Sequence, residues 1–595
     1  MREMRRRNIY FRDKVAVRRS KLFSSLSLDE ASRNRIVIIA EKPQAAERIQ
    51  SVLNIPAVPA RGHLFTLRTK RDKLPSFDVY WSCTKVMKEV LVNILDFIYE
   101  VGPDLIIIAT DDDREGEVIG YNIFRYLYEG KKWKMNDLFS YDPLPFIHRM
   151  YMTALTKYGI EKAFSNIRRM KEDQLAQGLG RNYADCVIGL NLSKALTRRI
   201  KLESPDLRRG FSLGRVQTPV LTFITNSTFS EIREESYSIS YKYCVLKDTV
   251  IELYDSNISP GVYKVVDVRE SVKEIEQARP LPNYNDVILE LSDKIPSEII
   301  DSALEDLHLK GLITYPRTHS NYCSDPHELY LSYLEMSNWK LINTEIFKFE
   351  YSPSIKVKGE KQPIFLTVDG IRERENLTGV ERLVADRIFQ MMILTFAPPI
   401  KVLTREIVLE TGDTIQVARK IIDGVNVSFE REFEYKFRDT ITIVERREKM
   451  RGYRHHFEFP EDKRVISWMV SKNIGTEATR TQYIPKLKER GYLDRGGLPT
   501  RLGYSIVSLF SRLIDVELTY KLEEKLNSLS SLHELSVFRS EINRMTIEMY
   551  NTVMSADLSD LYPTCPKCHK RMKFAERGRA LFAVCRCGYE LLLSR

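Results

Sequence analysis

The stretch LIIIATDDDREGE, residues 105–117, joins an apolar run to an acidic turn and decides the fold of the N-terminal part of the chain. An uninterrupted apolar run such as residues 105–109 is typical of a strand buried on both faces of a parallel sheet. A helix is predicted from about Glu117. The stretch RIVIIA, residues 35–40, repeats this design and is followed by the turn EKP and a helix-like segment. We therefore predict an α/β domain over residues 35–155, with both turns at the carboxyl ends of its strands, where such sheets place their sites.

Four carboxylates are expected at that edge of the sheet. Asp111 and Asp113 alternate and project to one side of an extended segment, Glu115 follows at the turn, and Glu41 comes from the first strand. Carboxylates this close repel one another unless a cation neutralises them, and oxygen-only ligands select Mg²⁺ or a similar hard ion. The alternative is a solvated acidic loop at a helix N-terminus, where carboxylates are favourable without a metal. The apolar strand and the following Gly116 favour the metal site.

A second stretch that carries chemistry is GLITYPRT, residues 311–318. A phenol such as Tyr315 is a poor nucleophile at neutral pH unless its partner is positioned and its proton is accepted. Arg317 offers a planar fork of donors that suits a phosphodiester. The alternatives are a strand end with a buried tyrosine and a structural ion pair for the arginine.

A third stretch, LGRVQTP at residues 213–219, completes an ordered set with the other two. The set resembles type IA DNA topoisomerases, whose signatures are an acidic Toprim loop, a GRVQTP segment and an ITYPRT segment. The resemblance runs from about residue 35 to about residue 550. It implies a multidomain α/β and α+β fold, in which a Toprim domain joins a toroidal core of helical and β-arch domains. It also implies an ATP-independent isomerase that cuts one DNA strand, passes another through the break and reseals it, and the chain indeed contains no GxxxxGK[ST] phosphate-binding loop.

The resemblance assigns a role to each active-site residue. Tyr315 would attack the phosphate and hold the 5′ end as a phosphotyrosine. Glu41 would protonate the leaving 3′ oxygen, Lys42 would contact the scissile phosphate, and Arg317 would neutralise charge in the transition state. For residues 41–43 the alternative is a strand-to-helix turn with proline at the first helical position. The ligands of one or two Mg²⁺ ions would be Asp111, Asp113, Glu115 and Glu41.

The predicted DNA-binding residues lie in three segments. The GRVQTP segment offers donors to backbone phosphates, and its alternative is a helix start capped by Ser212. GTEATR, residues 475–480, resembles topoisomerase III, including its archaeal members, more than bacterial topoisomerase I. It is expected to bind single-stranded DNA through threonine hydroxyls and a helix N-terminus. The candidate residues are Arg215, Gln217 and Thr218 in the first segment, Arg181 and Asp185 on a predicted helical stretch, and Thr476, Thr479 and Arg480 in GTEATR.

The C-terminal cysteines form a zinc-ribbon pattern. Cys565 and Cys568 are spaced C-x₂-C, whereas Cys585 and Cys587 are spaced C-x-C, and paired thiolates at two chain reversals predict one structural Zn²⁺. His569 is a conceivable substitute ligand, and disulfides or free thiols are the alternatives. We expect the ribbon to be a small metal-dependent unit of its own. Its aromatic residues, Phe574, Phe582 and Tyr589, either stack on single-stranded DNA or form the ribbon's core.

Composition is consistent with a DNA-binding enzyme. The 595 residues carry a net charge of +11 with a pI near 9.0, which fits a polyanionic partner. No run of about 18 apolar residues occurs, so no membrane span is expected. The expected partner is DNA in single-stranded regions, with a helicase as a further candidate, and we expect a monomer in the cytoplasm, associated with the nucleoid.

The predicted domains are 1–34 (basic extension), 35–155 (Toprim), 156–220 (helical), 221–285 (β arch), 286–399 (catalytic tyrosine), 400–447 (β arch), 448–558 (helical, winged) and 559–595 (zinc ribbon).

The sequence departs from the family pattern in three places. His319 stands where aspartate is usual, Lys361 where histidine is usual, and Asp112 where proline is usual. The first two add potential positive charge beside the expected DNA path.

Two other functional classes share the acidic loop: a Toprim DNA-binding module of recombination that does not cleave, and a Toprim nuclease or primase. Neither explains ITYPRT or GRVQTP.

Overall fold

The computed structural model describes residues 36–62, 64–69, 74–83, 85–129, 147–228, 236–247, 249–253, 257–359, 361–427, 431–436, 438–451, 462–578 and 580–594. The predicted N-terminal extension, residues 1–34, lies outside these ranges. The described residues fall into two compact units. Unit 1 draws on Met1–Thr228, Tyr284–Arg317 and Phe459–Arg595, and unit 2 draws on Phe229–Asn283 and Thr318–Glu458.

The helices and strands of the described residues have the following bounds. The strands are β1 (Ile36–Ala40), β2 (Ala57–Pro59), β3 (Thr66–Thr69), β4 (Val79–Ser82), β5 (Leu105–Ala109), β6 (His148–Arg149), β7 (Arg168–Arg169), β8 (Ser236–Val245), β9 (Val250–Leu253), β10 (Gly261–Ile275), β11 (Ile400–Leu409), β12 (Thr414–Asp423), β13 (Phe433–Glu434), β14 (Thr440–Arg451), β15 (Lys573–Arg577), β16 (Ala580–Val584) and β17 (Glu590–Ser594). The α-helices are α1 (Pro43–Leu53), α2 (Lys85–Val101), α3 (Arg114–Glu129), α4 (Lys157–Ser165), α5 (Glu172–Glu203), α6 (Gln217–Thr228), α7 (Tyr284–Leu291), α8 (Ser297–Leu309), α9 (Pro326–Asn338), α10 (Pro353–Lys356), α11 (Val368–Glu373), α12 (Gly379–Thr395), α13 (Asp462–Ser471), α14 (Glu477–Arg480), α15 (Tyr483–Glu489), α16 (Arg501–Phe510), α17 (Val516–Ser528) and α18 (Leu532–Ser555). Within the described ranges, no helix is both long enough and apolar enough to cross a bilayer.

The N-terminal sheet of unit 1 confirms the two predicted parallel strands. Its order is β2-β1-β5-β6-β7, and β1 runs parallel to β5 with Ile36 opposite Leu105 and Ala40 opposite Ala109. All five residues of β1 are buried, which explains why its sequence is apolar on both faces. Both acidic turns therefore leave the sheet at the same edge.

Helix α3 begins at Arg114, three residues earlier than predicted. The carboxylate of Asp113 accepts a hydrogen bond from the backbone N–H of Gly116 through Oδ1 at 2.7 Å, as a helix-capping side chain does. A cap of this kind satisfies one of the free N–H groups in the first turn, so the helix can start inside the acidic stretch. The acidic residues are thus part of the helix start as well as of the candidate site.

Backbone contacts fix the Tyr315 segment to the N-terminal α/β region of unit 1. The segment follows α8, and Tyr315 N–H donates to the carbonyl of Thr153 at 2.8 Å. Gly311 turns the chain with φ +74°, and a Cβ added there would lie 2.8 Å from the carbonyl oxygen of Leu155. A side chain would be strained by that backbone conformation and would also push the two segments apart.

Unit 2 contains a seven-stranded sheet in the order β13-β12-β11-β10-β14-β8-β9, and its paired strands run antiparallel. The two β-rich stretches predicted from the sequence supply this sheet, β8–β10 from the first and β11–β14 from the second. Helices α9–α12 belong to the same unit.

Replacing Gly116 with Ala should disrupt the acidic turn. The added Cβ would lie 2.1 Å from the carbonyl oxygen of Asp111, so the loop must move. We expect a loss of roughly 2–4 kcal/mol in stability, measured by denaturant unfolding. Gly189→Ala on α5 is the matched control, because its nearest neighbour is an ordinary 3.8 Å away and alanine favours a helix. Equal stability of the two variants would contradict the tight approach at Gly116.

Candidate active site

Tyr315 faces the acidic turn. Its phenol donates a hydrogen bond to Oδ2 of Asp113 at 2.6 Å, although the two residues are 202 positions apart in the chain. The tyrosine is 5% exposed and its ring meets that of His308 edge-on, with centroids 5.4 Å apart. The fold therefore joins the predicted nucleophile to the predicted metal loop.

The surroundings of the phenol disfavour its ionised form. Burial raises the pKa of Tyr315 well above its usual value, and the charges of Asp113 and Asp111 raise it further, against the opposing effect of Arg317. The phenol is accordingly protonated at neutral pH. A nucleophile in this state needs a base at the moment of attack, and Asp113 is already its hydrogen-bond partner.

Glu41 is buried beside the turn. Its Oε2 accepts a hydrogen bond from the backbone N–H of Asp111 at 3.2 Å. Burial raises the pKa of Glu41 well above its usual value, and Asp111 and Asp113 add to the shift, which Lys42 opposes. A carboxyl group whose pKa is raised in this way is better suited to act as an acid.

Lys42 and Arg317 share one carboxylate that the sequence reasoning did not single out. Glu305, on α8, pairs with Nζ of Lys42 through Oε1, and its Oε2 lies 3.7 Å from Nη2 of Arg317. His308 follows one turn later on the same helix, and burial lowers its pKa to about 4, so its ring is neutral at pH 7. Their i, i+3 spacing places both residues on one face of α8, but no motif in the sequence marks either of them.

Arg149, at the end of β6, binds the backbone of the acidic turn. Its guanidinium is fully buried and donates to the carbonyl oxygens of Ile108 (3.3 Å), Thr110 (3.1 Å) and Asp111 (3.1 Å). Its Nε lies 3.3 Å from Oε2 of the buried Glu117. Sequence reasoning missed this residue. Its position within the stretch IHRMY, residues 147–151, is the one feature of the sequence that could have pointed to it.

The acidic residues fit a hard divalent cation by their chemistry. They offer only carboxylate oxygens, and burial raises the pKa of Asp111, with Asp113 and Glu115 adding to the shift, so a bound cation would relieve the repulsion. The carboxylates are less tightly gathered than the C-terminal cysteines, since among the described residues only the cysteine set brings three or more potential ligand atoms within 4.8 Å of one another. Asp113 is engaged instead by Tyr315 and Gly116.

Comparison with known proteins agrees with this geometry. The sequence model of a family described as DNA topoisomerase matches residues 169–533, and that of the Toprim domain matches residues 36–138. The chain belongs to the DNA topoisomerase family.

Relatives place it among the type IA topoisomerases, and a solved structure shares its fold. It is 27% identical to DNA topoisomerase 1 of Methanocaldococcus jannaschii, over 83% of this chain and 71% of that relative. It is 24% identical to DNA topoisomerase 3 of Staphylococcus epidermidis, over 92% of this chain and 87% of that relative. The full-length topoisomerase I structure from Thermotoga maritima shares the fold with a TM-score of 0.64 at 20% identity, covering 93% of this chain and 97% of that one.

The predicted DNA-contact residues of this topoisomerase are mostly paired within the protein. Arg215 is 3% exposed, with Nε 2.5 Å from Oδ1 of Asp185 and Nη1 2.6 Å from Oε1 of Glu523. Glu523 also meets Nη2 of Arg181 at 2.5 Å. Gln217 is buried and donates to the backbone carbonyl and the hydroxyl of Ser212, which lies five residues before the start of α6 and is not its cap. Their roles toward DNA stay predictions.

An open groove of about 1030 Å³ runs past part of this set. Asp185, Arg215 and Gln217 line it, and Thr218 and Arg181 are not among the lining residues. The basic residues along it are Lys194, Arg198, Lys201, Lys486 and Arg490.

The GTEATR segment forms the start of the short helix α14. Thr476 caps the helix together with Thr479, and their hydroxyl oxygens lie 3.0 Å apart. Arg480 is buried and donates to the carbonyls of Ile474 and Gly475, each at 3.1 Å. These groups stabilise the segment itself, and their contact with DNA stays a prediction. The predicted wing-like turn at residues 494–497 is present between the bridged residues Leu493 and Pro499.

The four C-terminal cysteines converge as predicted. Cys565 and Cys587 have their sulfurs 3.5 Å apart, Cys568 and Cys585 3.3 Å apart, and all four lie within 4.8 Å of one another. The C-x-C knuckle therefore closes the site without His569, which stands at the reversal with φ +55°. A set of four sulfurs at this spacing fits one tetrahedral Zn²⁺.

The ribbon is not the free-standing unit that we expected. Its strand β15 packs into the main core of unit 1, where Phe574 stacks on Tyr562 with centroids 4.6 Å apart. The carboxylate of Glu576 accepts hydrogen bonds from the backbone N–H groups of Arg208 (2.8 Å) and Arg209 (3.0 Å). Phe574 thus packs in the main core of unit 1, and not in the small ribbon core that the sequence had left open as an alternative. The sequence could not show this docking because the ribbon's partners lie more than 360 positions upstream.

Replacing Asp111 with Asn should stabilise the metal-free protein at pH 7.5. The pKa of Asp111 is raised on folding, so the stability that this carboxyl contributes is present below its unfolded pKa and is lost as pH rises through the folded value. We expect the melting temperature in EDTA to rise by about 1–3 °C and its increase on adding Mg²⁺ to shrink. Asp104→Asn, in the loop before β5, is the control. An unchanged Mg²⁺ effect in Asp111→Asn would contradict the metal assignment.

Replacing Cys565 and Cys568 with Ser should release one zinc ion and loosen residues 204–211. The reason is the docking of β15, whose Glu576 protects the amides of Arg208 and Arg209. Hydrogen exchange of these amides should accelerate in that variant and in Glu576→Gln.

Glu590→Gln is the control for the ribbon prediction, since Glu590 pairs with Arg577 inside the ribbon. Metal analysis of the unaltered chain should give one zinc per molecule. Unchanged exchange at residues 208 and 209 in Glu576→Gln would show that the docking contributes no protection.

Proposed function

We propose that this type IA topoisomerase cleaves one DNA strand with Tyr315, holds the break as a 5′-phosphotyrosine and reseals it after strand passage. The observation that carries the proposal is the hydrogen bond between the Tyr315 phenol and Asp113, because it joins the nucleophile to the acidic loop. The stored phosphodiester energy makes ATP unnecessary.

In the cleavage step, the Tyr315 oxygen forms a bond to phosphorus while the bond from phosphorus to the 3′ oxygen breaks. The phenol proton passes to Asp113, the leaving oxygen takes the electron pair, and Glu41 supplies its proton. The raised pKa of Glu41 supports its role as the acid, and religation runs the same transfers in reverse.

Lys42 and Arg317 stabilise the charge that develops on the phosphoryl oxygens. Electrostatic stabilisation of this kind is worth on the order of 2–4 kcal/mol for one donor. Arg317 keeps its charge in this setting, because Tyr315 and nearby carboxylates raise its pKa further. Asp111, Asp113, Glu115 and Glu41 would hold one or two Mg²⁺ ions, which supply counter-charge for the phosphate groups when bound.

The single strand is proposed to follow the groove lined by Asp185, Arg215 and Gln217. The five basic side chains along it suit a phosphate backbone, and its open shape admits a strand without a partner strand. Thr218, Arg181, Thr476, Thr479 and Arg480 would shape this path through the contacts described above. One structural Zn²⁺ would be held by the four ribbon cysteines.

The remaining assignments concern the cellular setting. We propose that the enzyme acts as a monomer on single-stranded regions of DNA in the cytoplasm, at the nucleoid, and that a helicase supplies such regions. The net charge of +11 supports the nucleic-acid partner. The family membership disfavours a non-cleaving Toprim module and a Toprim nuclease.

Replacing Tyr315 with Phe should abolish cleavage and relaxation and leave single-strand binding within about threefold, because phosphate contacts supply most of the affinity. Labelled oligonucleotide mixed with the enzyme and run on a denaturing gel measures the covalent adduct. Tyr322→Phe is the control, since this half-exposed tyrosine lies outside the described site. An adduct formed by Tyr315→Phe would assign the nucleophile to another residue.

A further inference from the structure

Glu305 stands between the two cations that the reaction requires. Its side chain is 16% exposed, and each of its carboxylate oxygens faces a different cation, Oε1 facing Lys42 and Oε2 facing Arg317. Neither the metal loop nor the nucleophile segment contains this residue, which comes from the middle of α8. The mechanism described above gives it no task.

The same two cations also lie within electrostatic reach of the acidic loop. Both Lys42 and Arg317 lower the pKa of Asp111, so each could pair with the loop if nothing else held it. Asp301, one turn before Glu305, is engaged by the phenol of Tyr284 at 2.8 Å. Glu305 is therefore the α8 carboxylate in ion-pair contact with both cations.

A carboxylate and a phosphodiester present the same pattern to a pair of cations. Each is a monoanion with two equivalent acceptor oxygens, and each can give one oxygen to a lysine and the other to an arginine. We propose, on the basis of the proposed function, that Glu305 is a positioning residue that occupies the place of the scissile phosphate between Lys42 and Arg317 until DNA binds.

Two consequences follow for the DNA-free enzyme. The cations stay aimed at the phosphate position and do not neutralise the acidic loop, which keeps its carboxylates available for a metal. The entering phosphate must displace Glu305, so DNA binding becomes an exchange of anions and part of its electrostatic gain is offset. A merely structural ion pair would act in the opposite direction, because its loss would weaken the site.

The test compares two oligonucleotides in the Tyr315→Phe background. The cleaved linkage is first mapped with the wild-type chain on a denaturing gel, and the same oligonucleotide is then made with a neutral methylphosphonate at that linkage. Glu305→Gln keeps the shape of the side chain and removes its charge. We expect it to bind the all-phosphate oligonucleotide roughly three- to tenfold more tightly and to bind the methylphosphonate oligonucleotide unchanged.

Asp306→Asn is the matched control, since it removes the same charge from the exposed side of α8 and should bind both oligonucleotides alike. If Glu305→Gln fails to fold, Glu305→Asp carries the test: it is too short to span both cations, and a gain confined to the all-phosphate oligonucleotide is again expected. Weaker binding, an unchanged affinity or an equal gain for both oligonucleotides would overturn the proposal. Absence of any covalent adduct with the wild-type chain would overturn the proposed function and this proposal together, whereas an adduct without the selective gain overturns this proposal alone.

Discussion

The candidate active site depends on one buried guanidinium. Arg149 gathers the carbonyl oxygens of Ile108, Thr110 and Asp111 at the carboxyl end of β5 and pairs with the buried Glu117. Removing one partner of such a buried pair typically costs about 3–5 kcal/mol, because the other charge is left uncompensated. The turn that carries Asp113 to Tyr315 is therefore held from within the sheet.

With the turn fixed, the site concentrates charges of one sign. Burial and the charge of Asp113 raise the pKa of Glu41, of Asp111 and of Tyr315. These shifts share one cause, which is that ionised groups have been taken out of water next to one another. A cation or an entering phosphate changes that balance, so proton transfer within the site is coupled to the binding of both.

The sequence predicted the parts that local patterns determine. Uninterrupted apolar runs predicted β1 and β5 as buried parallel strands, and the four cysteines predicted their own cluster. Arg149, Glu305 and the docking of the ribbon through Glu576 could not be predicted, because each depends on partners tens to hundreds of positions away and has no motif of its own. The burial of Arg215 belongs to the same class: the motif identifies the residue, and the two acids that hold it come from α5 and α17.

The two sets of cations proposed to meet DNA follow a common arrangement. Glu305 holds Lys42 and Arg317 at the active site, and Glu523 holds Arg215 and Arg181 near the groove. A buried cation without a partner would be costly and would lose its position, so each carboxylate keeps its cations charged and aimed while DNA is absent. A cation that an internal carboxylate already neutralises adds little to the net charge that meets the DNA, so it releases fewer of the counterions condensed on the DNA. We therefore expect the salt dependence of binding to reflect mainly the exposed basic residues along the groove, with a smaller contribution from these four cations. The net charge of +11 accordingly overstates the electrostatic part of the affinity for DNA.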